Sequence, residues 1–371
     1  MIKELLVEKL HGHINAQMIF NDDINIITGV NGSGKTSLLK IIWMIISGNM
    51  DRVILNMEFS HIKLITDNYY IEILKNQSNC VEITTDLLEP SLFSQLSGEI
   101  PTVIRSKEYT FCNTEIIQKI SRSIFFPTFR RVEGGFSANQ IPKEFGLNSR
   151  GERIYRRRVD ENEELEEALS SYSNVMTNNG HLFVCSLSTN DIKELLSTKY
   201  AQMSSTINQE YQGFSSRIIR QILDYERTSD ESNVQAIKLL DSLKKDAMII
   251  NQKRDDMLKP FNVLSELIDS IFNDKGIKIT DYLTLGHKAE KMIDSGWLSS
   301  GEKQMLSFLC YNTFISNSPI FIDEPELSLH VDWQRKLFKI LLNQGTNNQF
   351  FVATHSQLIY TNYSDKEIEV K

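Results

Sequence analysis

The residues with the clearest chemistry form one short segment, Gly29–Thr36, whose sequence is GVNGSGKT. Its spacing, G-x-x-x-x-G-K-T, is that of a phosphate-binding loop. The β-branched run Ile24–Thr28 before it predicts a buried strand, and the apolar run Ser37–Ile46 after it predicts a helix. Glycines let backbone N–H groups surround phosphate oxygens, and the helix N-terminus adds a positive dipole end. This segment, the phosphate loop, therefore predicts a nucleoside triphosphate site.

Two side chains at the end of the phosphate loop have distinct expected roles. Lys35 is expected to reach the β- and γ-phosphates and to act in catalysis, and Thr36 is expected to bind Mg²⁺ through its hydroxyl. The expected nucleotide contacts in this part of the chain are Gly29, Asn31, Gly32, Ser33, Gly34, Lys35, Thr36 and Ser37.

A second anion-binding element is predicted far downstream, where Leu298–Gln304 (LSSGEKQ) opens a helix. Ser299, Ser300 and Gly301 stand at the N-terminus of this helix, where hydroxyl and N–H groups can bind a negative charge. These three residues are therefore candidate nucleotide contacts as well.

Two later strands end in polar residues that fit a hydrolytic site. Asp323 follows the apolar run Pro319–Ile322 and is expected to be a ligand of Mg²⁺, usually through water. Glu324 is expected to be the base that polarises the attacking water, and His355, just beyond the apolar run Phe350–Ala353, can reach a γ-phosphate. The order of these residues after a phosphate loop favours a catalytic site over unrelated turns.

The composition narrows the classes of protein that the chain can be. With 371 residues it can hold about two domains, and its net charge of −8 means that any nucleic-acid contact needs a local basic patch. The cysteines Cys80, Cys112, Cys185 and Cys310 are widely spaced, which argues against a zinc site or a disulfide scaffold. No apolar run is long enough to span a membrane and the N-terminus resembles no signal peptide, so we expect a soluble, cytoplasmic protein without a membrane partner.

The hydrophobic pattern predicts an α/β fold in three segments. Residues 1–140 are expected to form an N-terminal lobe with the phosphate loop and an antiparallel sheet, 141–275 a helical insertion, and 276–371 a C-terminal lobe. Alternating polarity predicts strands at Val53–Leu55, Ile62–Ile65, Tyr69–Leu74 and Val81–Ile83, with a hairpin turn at Asp67–Asn68 and a helix at 113–121.

The insertion is expected to be a helical hairpin. Apolar steps of four, four and three from Ile192 to Ile222 predict a long amphipathic helix of roughly 30 residues. A second helix is predicted from Ile237 to Leu258, ended or kinked by Pro260, with a third apolar stretch over Val263–Phe272. Such a hairpin could be a packed bundle or a protruding arm that grips a partner, and the sequence leaves both open.

A basic segment lies between Arg122 and Arg158, where nine basic and three acidic residues give a local charge of +6. It could bind DNA, RNA or nucleotide phosphate, or it could be a solvated face neutralised by the six acids of Asp160–Glu167. For Arg130 and Arg131, which follow the strand-like run Ile124–Phe126, we expect contact with the nucleotide.

Together these motifs resemble an ABC-type ATPase head of the SMC, RecF and OLD class. Gly29–Thr36 matches the Walker A motif, Leu298–Gln304 the signature motif with Ser300 in place of a usual glycine, and Ile320–Glu324 the Walker B motif. Glu326–His330 resembles the D-loop region, and Thr354–Ser356 matches the segment of the switch histidine.

The resemblance implies a fold and a mechanism. The fold would be a P-loop NTPase with a mixed core sheet, an antiparallel β lobe and a helical insertion. ATP and Mg²⁺ would lie between two copies of the chain packed head to tail, with the phosphate loop of one copy facing Ser299 of the other. Two features depart from the family: a clear glutamine loop is missing, Gln140 being the nearest candidate, and the sequence offers no acidic cluster of the Toprim nuclease domain that OLD nucleases have.

These expectations lead to two hypotheses about function. The first is a slow ATPase that senses or scaffolds and controls a separate effector, a nuclease or toxin, because the sequence has a full set of ATP-site motifs but no effector domain and no membrane segment. Pro127–Arg131 is also similar to small ATPases of bacterial anti-phage systems. The alternative is a RecF-like DNA-repair ATPase that binds DNA or RNA through the Arg122–Arg158 segment.

Overall fold

A computed structural model describes most of the chain. The described residues are 1–75, 81–87, 104–105, 109–120, 122–128, 146–147, 153–154, 171–185, 189–227, 233–272, 277–279, 283–285 and 298–370. Among them, no helix is both long and apolar enough to cross a membrane.

The secondary structure alternates between strands and helices. The strands are β1 (Ile2–Leu10), β2 (Ile14–Ile19), β3 (Ile24–Gly29), β4 (His61–Thr66), β5 (Tyr70–Lys75), β6 (Val81–Thr85), β7 (Ile104–Arg105), β8 (Ser123–Phe126), β9 (Gly146–Leu147), β10 (Arg153–Ile154), β11 (His181–Phe183), β12 (Ile277–Ile279), β13 (Leu283–Leu285), β14 (Pro319–Asp323), β15 (Gln349–Ala353) and β16 (Glu367–Val370). The helices are α1 (Lys35–Ile46), α2 (Met50–Asn56), α3 (Tyr109–Lys119), α4 (Thr189–Arg227), α5 (Asn233–Ile271), α6 (Ser300–Phe314), α7 (Val331–Leu342) and α8 (Gln357–Tyr360), with 3-10 turns at Pro325–Leu327 and Thr361–Lys366.

The core sheet has six strands in the order β11-β8-β14-β15-β3-β16, and all its strand pairs are parallel. Strands β14 and β15 are buried along their whole length, which suits a parallel sheet covered on both faces. The α/β P-loop class is confirmed, with one difference: the core sheet is parallel, and the antiparallel pairs of this lobe belong to a separate sheet.

That second sheet, β2-β1-β4-β5-β6-β7, is antiparallel throughout. Alternate residues of β4 are buried, as expected for a sheet with one covered face. The predicted turn at Asp67–Asn68 joins β4 to β5, and the Thr66 N–H donates to the Tyr69 carbonyl at 2.9 Å.

Helix α1 follows the phosphate loop and is buried on several sides. Its Trp43 is 0% exposed and lies with its ring centroid 5.6 Å from that of Phe125 and 5.3 Å from that of Phe183. The stack continues through Phe321 and Phe351. These ring contacts connect α1 to strands β8, β11, β14 and β15. The helix that follows the phosphate loop is therefore packed against the core sheet.

The chain divides into two compact units, residues 1–186 with 315–371, and residues 187–314. The sequence predicts divisions at residues 140 and 275, and this stays a prediction. The two compact units have other boundaries, at residues 186 and 315. Strand β11 pairs with β8 in the core sheet, and α6 clusters with the helical hairpin.

The second unit contains the predicted helical hairpin. Helices α4 and α5 each have 39 residues and pack against each other. Pro260 lies inside α5 and does not end it, so the second and third predicted helical stretches are one helix. Packing of the helix directly after the proline explains its tolerance, because Phe261 contacts Tyr200 with ring centroids 5.7 Å apart and Leu264 is 0% exposed.

The strand predicted at Val53–Leu55 is wrong, because these residues belong to helix α2. Met50, Val53 and Ile54 are buried there while Leu55 is exposed, which is the spacing of a helix face and not of a strand.

A buried histidine marks the edge of the core sheet. His181 of β11 lies opposite Ser123 of β8, and its Nδ1 is 2.8 Å from the Ser123 hydroxyl oxygen. Its side chain is 0% exposed, and burial lowers its pKa to about 4.

We expect this histidine to make folding pH-dependent. The unfolded chain takes up a proton near pH 6.5, whereas folded His181 does so only near its pKa of about 4. Its contribution is therefore fully present above pH 6.5 and is lost as the pH falls towards 4. Between pH 7.5 and 4.5 the free energy of unfolding of the wild type should fall by about 2.5 kcal/mol more than that of His181→Asn, measured by urea unfolding. Parallel pH curves for the two proteins would contradict this.

Candidate functional site

The phosphate loop joins β3 to α1 through glycines with positive φ. Gly29 has φ +150° and Gly34, the N-cap of α1, has φ +90°. A Cβ atom at Gly29 would lie 2.5 Å from the Val370 carbonyl oxygen, and one at Gly34 would lie 2.7 Å from Cδ1 of Ile14. Both positions favour glycine through their positive φ, and at Gly29 the fixed backbone oxygen of Val370 also leaves no room for a side chain.

The other residues of the loop occupy different environments. Asn31 and Gly32 are exposed, whereas Ser33 is 7% exposed and its buried hydroxyl has no hydrogen-bond partner within the described part of the chain. Ser37, in the first turn of α1, has its Oγ 2.9 Å from Nε2 of His11. A buried hydroxyl without a partner beside a helix N-terminus fits a phosphate oxygen.

Lys35 is 6% exposed, and its ammonium donates to the carbonyls of Gly29 and Val30, both at 3.0 Å. Burial lowers the pKa of Lys35, and the carboxylates of Glu324, Asp323 and Glu326 act in the opposite direction. Lys35 is thus a buried cation near three acidic side chains. Its hydrogen bonds connect the end of the phosphate loop to the beginning of that loop.

Asp323 is 1% exposed and receives two threonine hydroxyls. Thr36 Oγ1 donates to it at 2.9 Å from Oδ1 and 3.0 Å from Oδ2, and Thr128 Oγ1 donates to Oδ2 at 2.6 Å. Thr128 stands two residues beyond β8, whose Phe126 pairs with Ile322 of β14. The carboxyl ends of these parallel strands therefore meet, as is usual for sites of α/β proteins.

This arrangement fits the ATP and Mg²⁺ that the sequence implies. The carboxylate of Asp323 and the hydroxyl of Thr36 are hard oxygen ligands. Among the described residues, no group of three or more His, Cys, Asp or Glu side chains is arranged so that it could hold a metal ion. Mg²⁺ is commonly bound through one or two carboxylates and substrate phosphates, so the small donor set suits it.

Glu324 has a backbone conformation that is rare for a side chain of its kind. Its φ is +49° and ψ +57°, the left-handed region, directly before Pro325. Its N–H donates to the Ala353 carbonyl at 2.8 Å, which extends the pairing of β14 with β15. A non-glycine residue in this region costs about 1–3 kcal/mol, and such strain clusters at active sites.

The residues after β15 are bound by the turn after β14. One oxygen of Glu326, Oε2, accepts from the Thr354 hydroxyl at 2.8 Å, and the other, Oε1, accepts from the His355 N–H at 2.7 Å. His355 is exposed, and Thr354 is 0% exposed. The structure thus places Lys35, Thr36, Asp323, Glu324 and His355 along the carboxyl edge of the parallel sheet, and their roles in nucleotide binding and catalysis stay a prediction.

The signature segment belongs to the second unit. Ser299 forms a capping box with Glu302, in which the Ser299 N–H donates to Oε2 at 2.7 Å and the Glu302 N–H donates to Oγ at 3.3 Å. Ser300 begins α6 and Gly301 is buried in its first turn. Glu302 places a negative charge at this helix N-terminus. The sequence-based prediction of an anion site at Ser299, Ser300 and Gly301 did not include this charge.

Some predicted residues lie outside the described part of the chain. They are Arg130, Arg131, Gln140 and most of the Arg122–Arg158 segment. Conversely, the sequence alone did not identify Thr128 or Glu326 as partners of the site. A hydroxyl two residues past a buried strand was the only local signal for Thr128.

Comparisons with known proteins identify the family of the chain. The sequence profile of the AAA ATPase domain matches residues 1–360. The chain is 25% identical over 192 residues to the Retron Vc95 probable ATPase of Vibrio cholerae, covering 46% of this chain and 37% of that protein. It is 34% identical over 73 residues to the DNA replication and repair protein RecF of Ruminiclostridium cellulolyticum, covering 20% of this chain and 19% of RecF. Both alignments thus span well under two thirds of the relative's own length.

The solved structures that the chain matches include SMC head domains. The Smc head of Pyrococcus furiosus, bound to the C-terminal domain of ScpA, gives a TM-score of 0.42 at 11% identity, and covers 97% of this chain and 91% of that one. The SMC head domain of Thermotoga maritima gives a TM-score of 0.43 at 10% identity with the same coverage.

We expect Lys35→Ala to abolish tight nucleotide binding. The variant loses the charge-assisted hydrogen bonds that Lys35 is expected to donate to the β- and γ-phosphates. Their loss should cost about 3 kcal/mol of binding free energy, which corresponds to roughly a 100-fold higher Kd for ATP. Isothermal titration with a non-hydrolysable ATP analogue measures the effect. Lys40→Ala, one turn further along α1 and only partly buried, is the matched control and should bind as the wild type does. Unchanged affinity of Lys35→Ala would rule out this role.

Proposed function

The chain belongs to the AAA ATPase domain family, and from this premise we propose that it binds ATP with Mg²⁺ and hydrolyses it slowly to control a separate effector protein. The observation that supports hydrolysis most strongly is the meeting of Lys35, Asp323 and Glu324 at one edge of the parallel sheet. Asp323 is held there by two hydroxyls, and Glu324 follows it in a strained conformation.

In this proposal each residue of the edge has one task. The phosphate loop and Lys35 bind the β- and γ-phosphates, and the Ser33 hydroxyl donates to a phosphate oxygen. Thr36 and Asp323 hold Mg²⁺, and Thr128 orients the Asp323 carboxylate. Bound Mg²⁺ would neutralise charge that develops on the phosphates. Glu324 accepts a proton from the attacking water, and His355 donates to the γ-phosphate.

We further propose that two copies pack head to tail around ATP, with Ser299, Ser300 and Gly301 of one copy facing the phosphate loop of the other. The support is that Ser300 begins α6, whose positive dipole end an anion can approach. Because the Ser299 N–H is bound to Glu302, the expected donors to the nucleotide are the hydroxyl and N–H of Ser300. Because γ-phosphate contacts would exist only with ATP bound, hydrolysis would release the dimer. ATP hydrolysis would then change the oligomeric state of the protein.

The effector is proposed to be a nuclease or toxin of a bacterial anti-phage system. The sequence similarity to the Retron Vc95 probable ATPase supports this biological setting. The similarity to RecF over 73 residues keeps DNA repair as the second candidate. The two candidates differ in nucleic-acid binding, because a RecF-like protein should bind DNA in an ATP-dependent manner that weakens steeply with salt. Absence of DNA binding at low salt would exclude the second candidate.

We expect Glu324→Gln to bind ATP normally but to hydrolyse it at least roughly 100-fold more slowly, because the amide cannot accept the proton of water. The trapped nucleotide should hold two copies together, so analytical ultracentrifugation with ATP and Mg²⁺ should show a dimer that ADP does not support. Hydrolysis at the wild-type rate would show that Glu324 is not the base.

The dimer geometry is tested in the same background with Ser299→Arg. This variant places a long cation at the proposed interface, so it should keep ATP affinity and prevent dimerisation. Ser270→Arg, at an exposed position of α5, is the matched control and should leave the dimer intact. If the Ser299→Arg double variant still dimerises with ATP, the head-to-tail arrangement is wrong.

Control of an effector predicts that the output of a co-purifying partner follows the ATP cycle. We expect the partner's nuclease activity or growth arrest at native expression to change with Lys35→Ala and with Glu324→Gln by about 10-fold or more, a coupling within the common range of about 5- to 150-fold. Lys40→Ala should leave it unchanged. An output that is equal in all four proteins would contradict control by ATP.

A further inference from the structure

The turn after β14 and the segment after β15 are joined by one carboxylate, that of Glu326. From this geometry we propose that Glu326 is a positioning residue, which fixes His355 relative to Glu324 and so sets the rate of ATP cleavage. The inference rests on the proposed hydrolysis at this site and assigns a role to a residue that does not touch the reacting atoms.

The two hydrogen bonds of Glu326 leave its partners little freedom. Oε1 accepts from the backbone N–H of His355 at 2.7 Å and Oε2 accepts from the Thr354 hydroxyl at 2.8 Å. Hydrogen bonds to a carboxylate are short and about twice as strong as neutral ones. Because one bond holds the backbone of His355 itself, the carboxylate fixes the point from which the imidazole extends.

A second contact supports the same segment. The Gln334 side chain of α7 accepts from the Ser356 hydroxyl at 2.7 Å and donates to the Leu329 carbonyl at 2.9 Å. Gln334 also donates to the Glu326 carbonyl at 3.3 Å. The turn that follows Glu324 and the residues on both sides of His355 therefore form one hydrogen-bonded unit.

This unit connects the two proposed catalytic side chains. The Glu324 N–H donates to the Ala353 carbonyl at 2.8 Å, one residue before Thr354. Glu324 is thus tied to the end of β15 by its backbone, and His355 is tied to the turn of Glu324 by Glu326. A shift of either segment changes the separation of Glu324 from His355. A misplacement of catalytic groups by about 1 Å can lower a reaction rate by about 100-fold.

The charge of Glu326 strengthens both bonds. Both partners of Glu326 donate to it, since one is an N–H group and the other is a hydroxyl. The amide of glutamine has one accepting oxygen and no charge, and its NH₂ group could bond to the Thr354 hydroxyl only if that hydroxyl turned to accept. Glu326→Gln is therefore a nearly isosteric change that removes the charge assistance and reverses one bond, and Thr354→Val removes the bond to Oε2 from the opposite side.

The experiment is steady-state ATP hydrolysis by the full chain with Mg²⁺, together with nucleotide titration. For Glu326→Gln and Thr354→Val we expect kcat to fall by about 10- to 100-fold, while KM and the Kd of a non-hydrolysable ATP analogue change less than about twofold. Thr354→Ser, which keeps the hydroxyl, should restore the wild-type rate. Glu58→Gln, an exposed glutamate before β4, is the matched control and should behave as the wild type.

A double-mutant cycle separates positioning from a general structural effect. If Glu326 acts through His355, Glu326→Gln should cause no further loss of kcat in a His355→Ala background. Full additivity, or a normal kcat of Glu326→Gln, would overturn the inference while the proposed hydrolysis stands. If wild type and Glu324→Gln hydrolyse ATP equally slowly, the proposed function fails instead, and the inference falls with it.

Discussion

The buried carboxylate of Asp323 is the group on which the site depends. An anion that is 1% exposed must be satisfied where it lies, and here the hydroxyls of Thr36 and Thr128 do so. Thr36 comes from the phosphate loop and Thr128 from the end of β8, so one side chain joins three segments that are distant in sequence. The parallel register of β8, β14 and β15 brings these ends together, and the packing of Trp43 against the sheet keeps the phosphate loop in place.

The sequence predicted the site residues that have a local pattern. The phosphate loop, Asp323 and Glu324 each adjoin a strongly apolar strand, and a buried strand followed by polar residues can be recognised without tertiary information. Thr128 and Glu326 could not be assigned in this way, because their partners are set by which strands are neighbours. Glu302 lies inside the recognised signature motif, but its hydrogen bond to the Ser299 N–H becomes visible only when the start of helix α6 is known.

The incorrect parts of the predicted fold have a related cause. The apolar run Val53–Leu55 is too short to separate a strand from a helix, and the burial of Met50, Val53 and Ile54 on one face of α2 decided the outcome. Pro260 reads locally as a helix end, yet packing around Phe261 and Leu264 keeps α5 continuous. In both places tertiary contacts outweighed a weak local preference.

The position of β3 in the core sheet has a consequence for how the protein folds. Both of its neighbours, β15 and β16, come from the far end of the sequence, and the Thr28 hydroxyl bonds to Glu367, 339 positions away. The strand that supports the phosphate loop is therefore completed only after a very large loop has closed, which makes its pairing slow. We therefore expect the apolar edge of β3 to stay unpaired until its partners have been synthesised, and nucleotide affinity to be acquired late in folding.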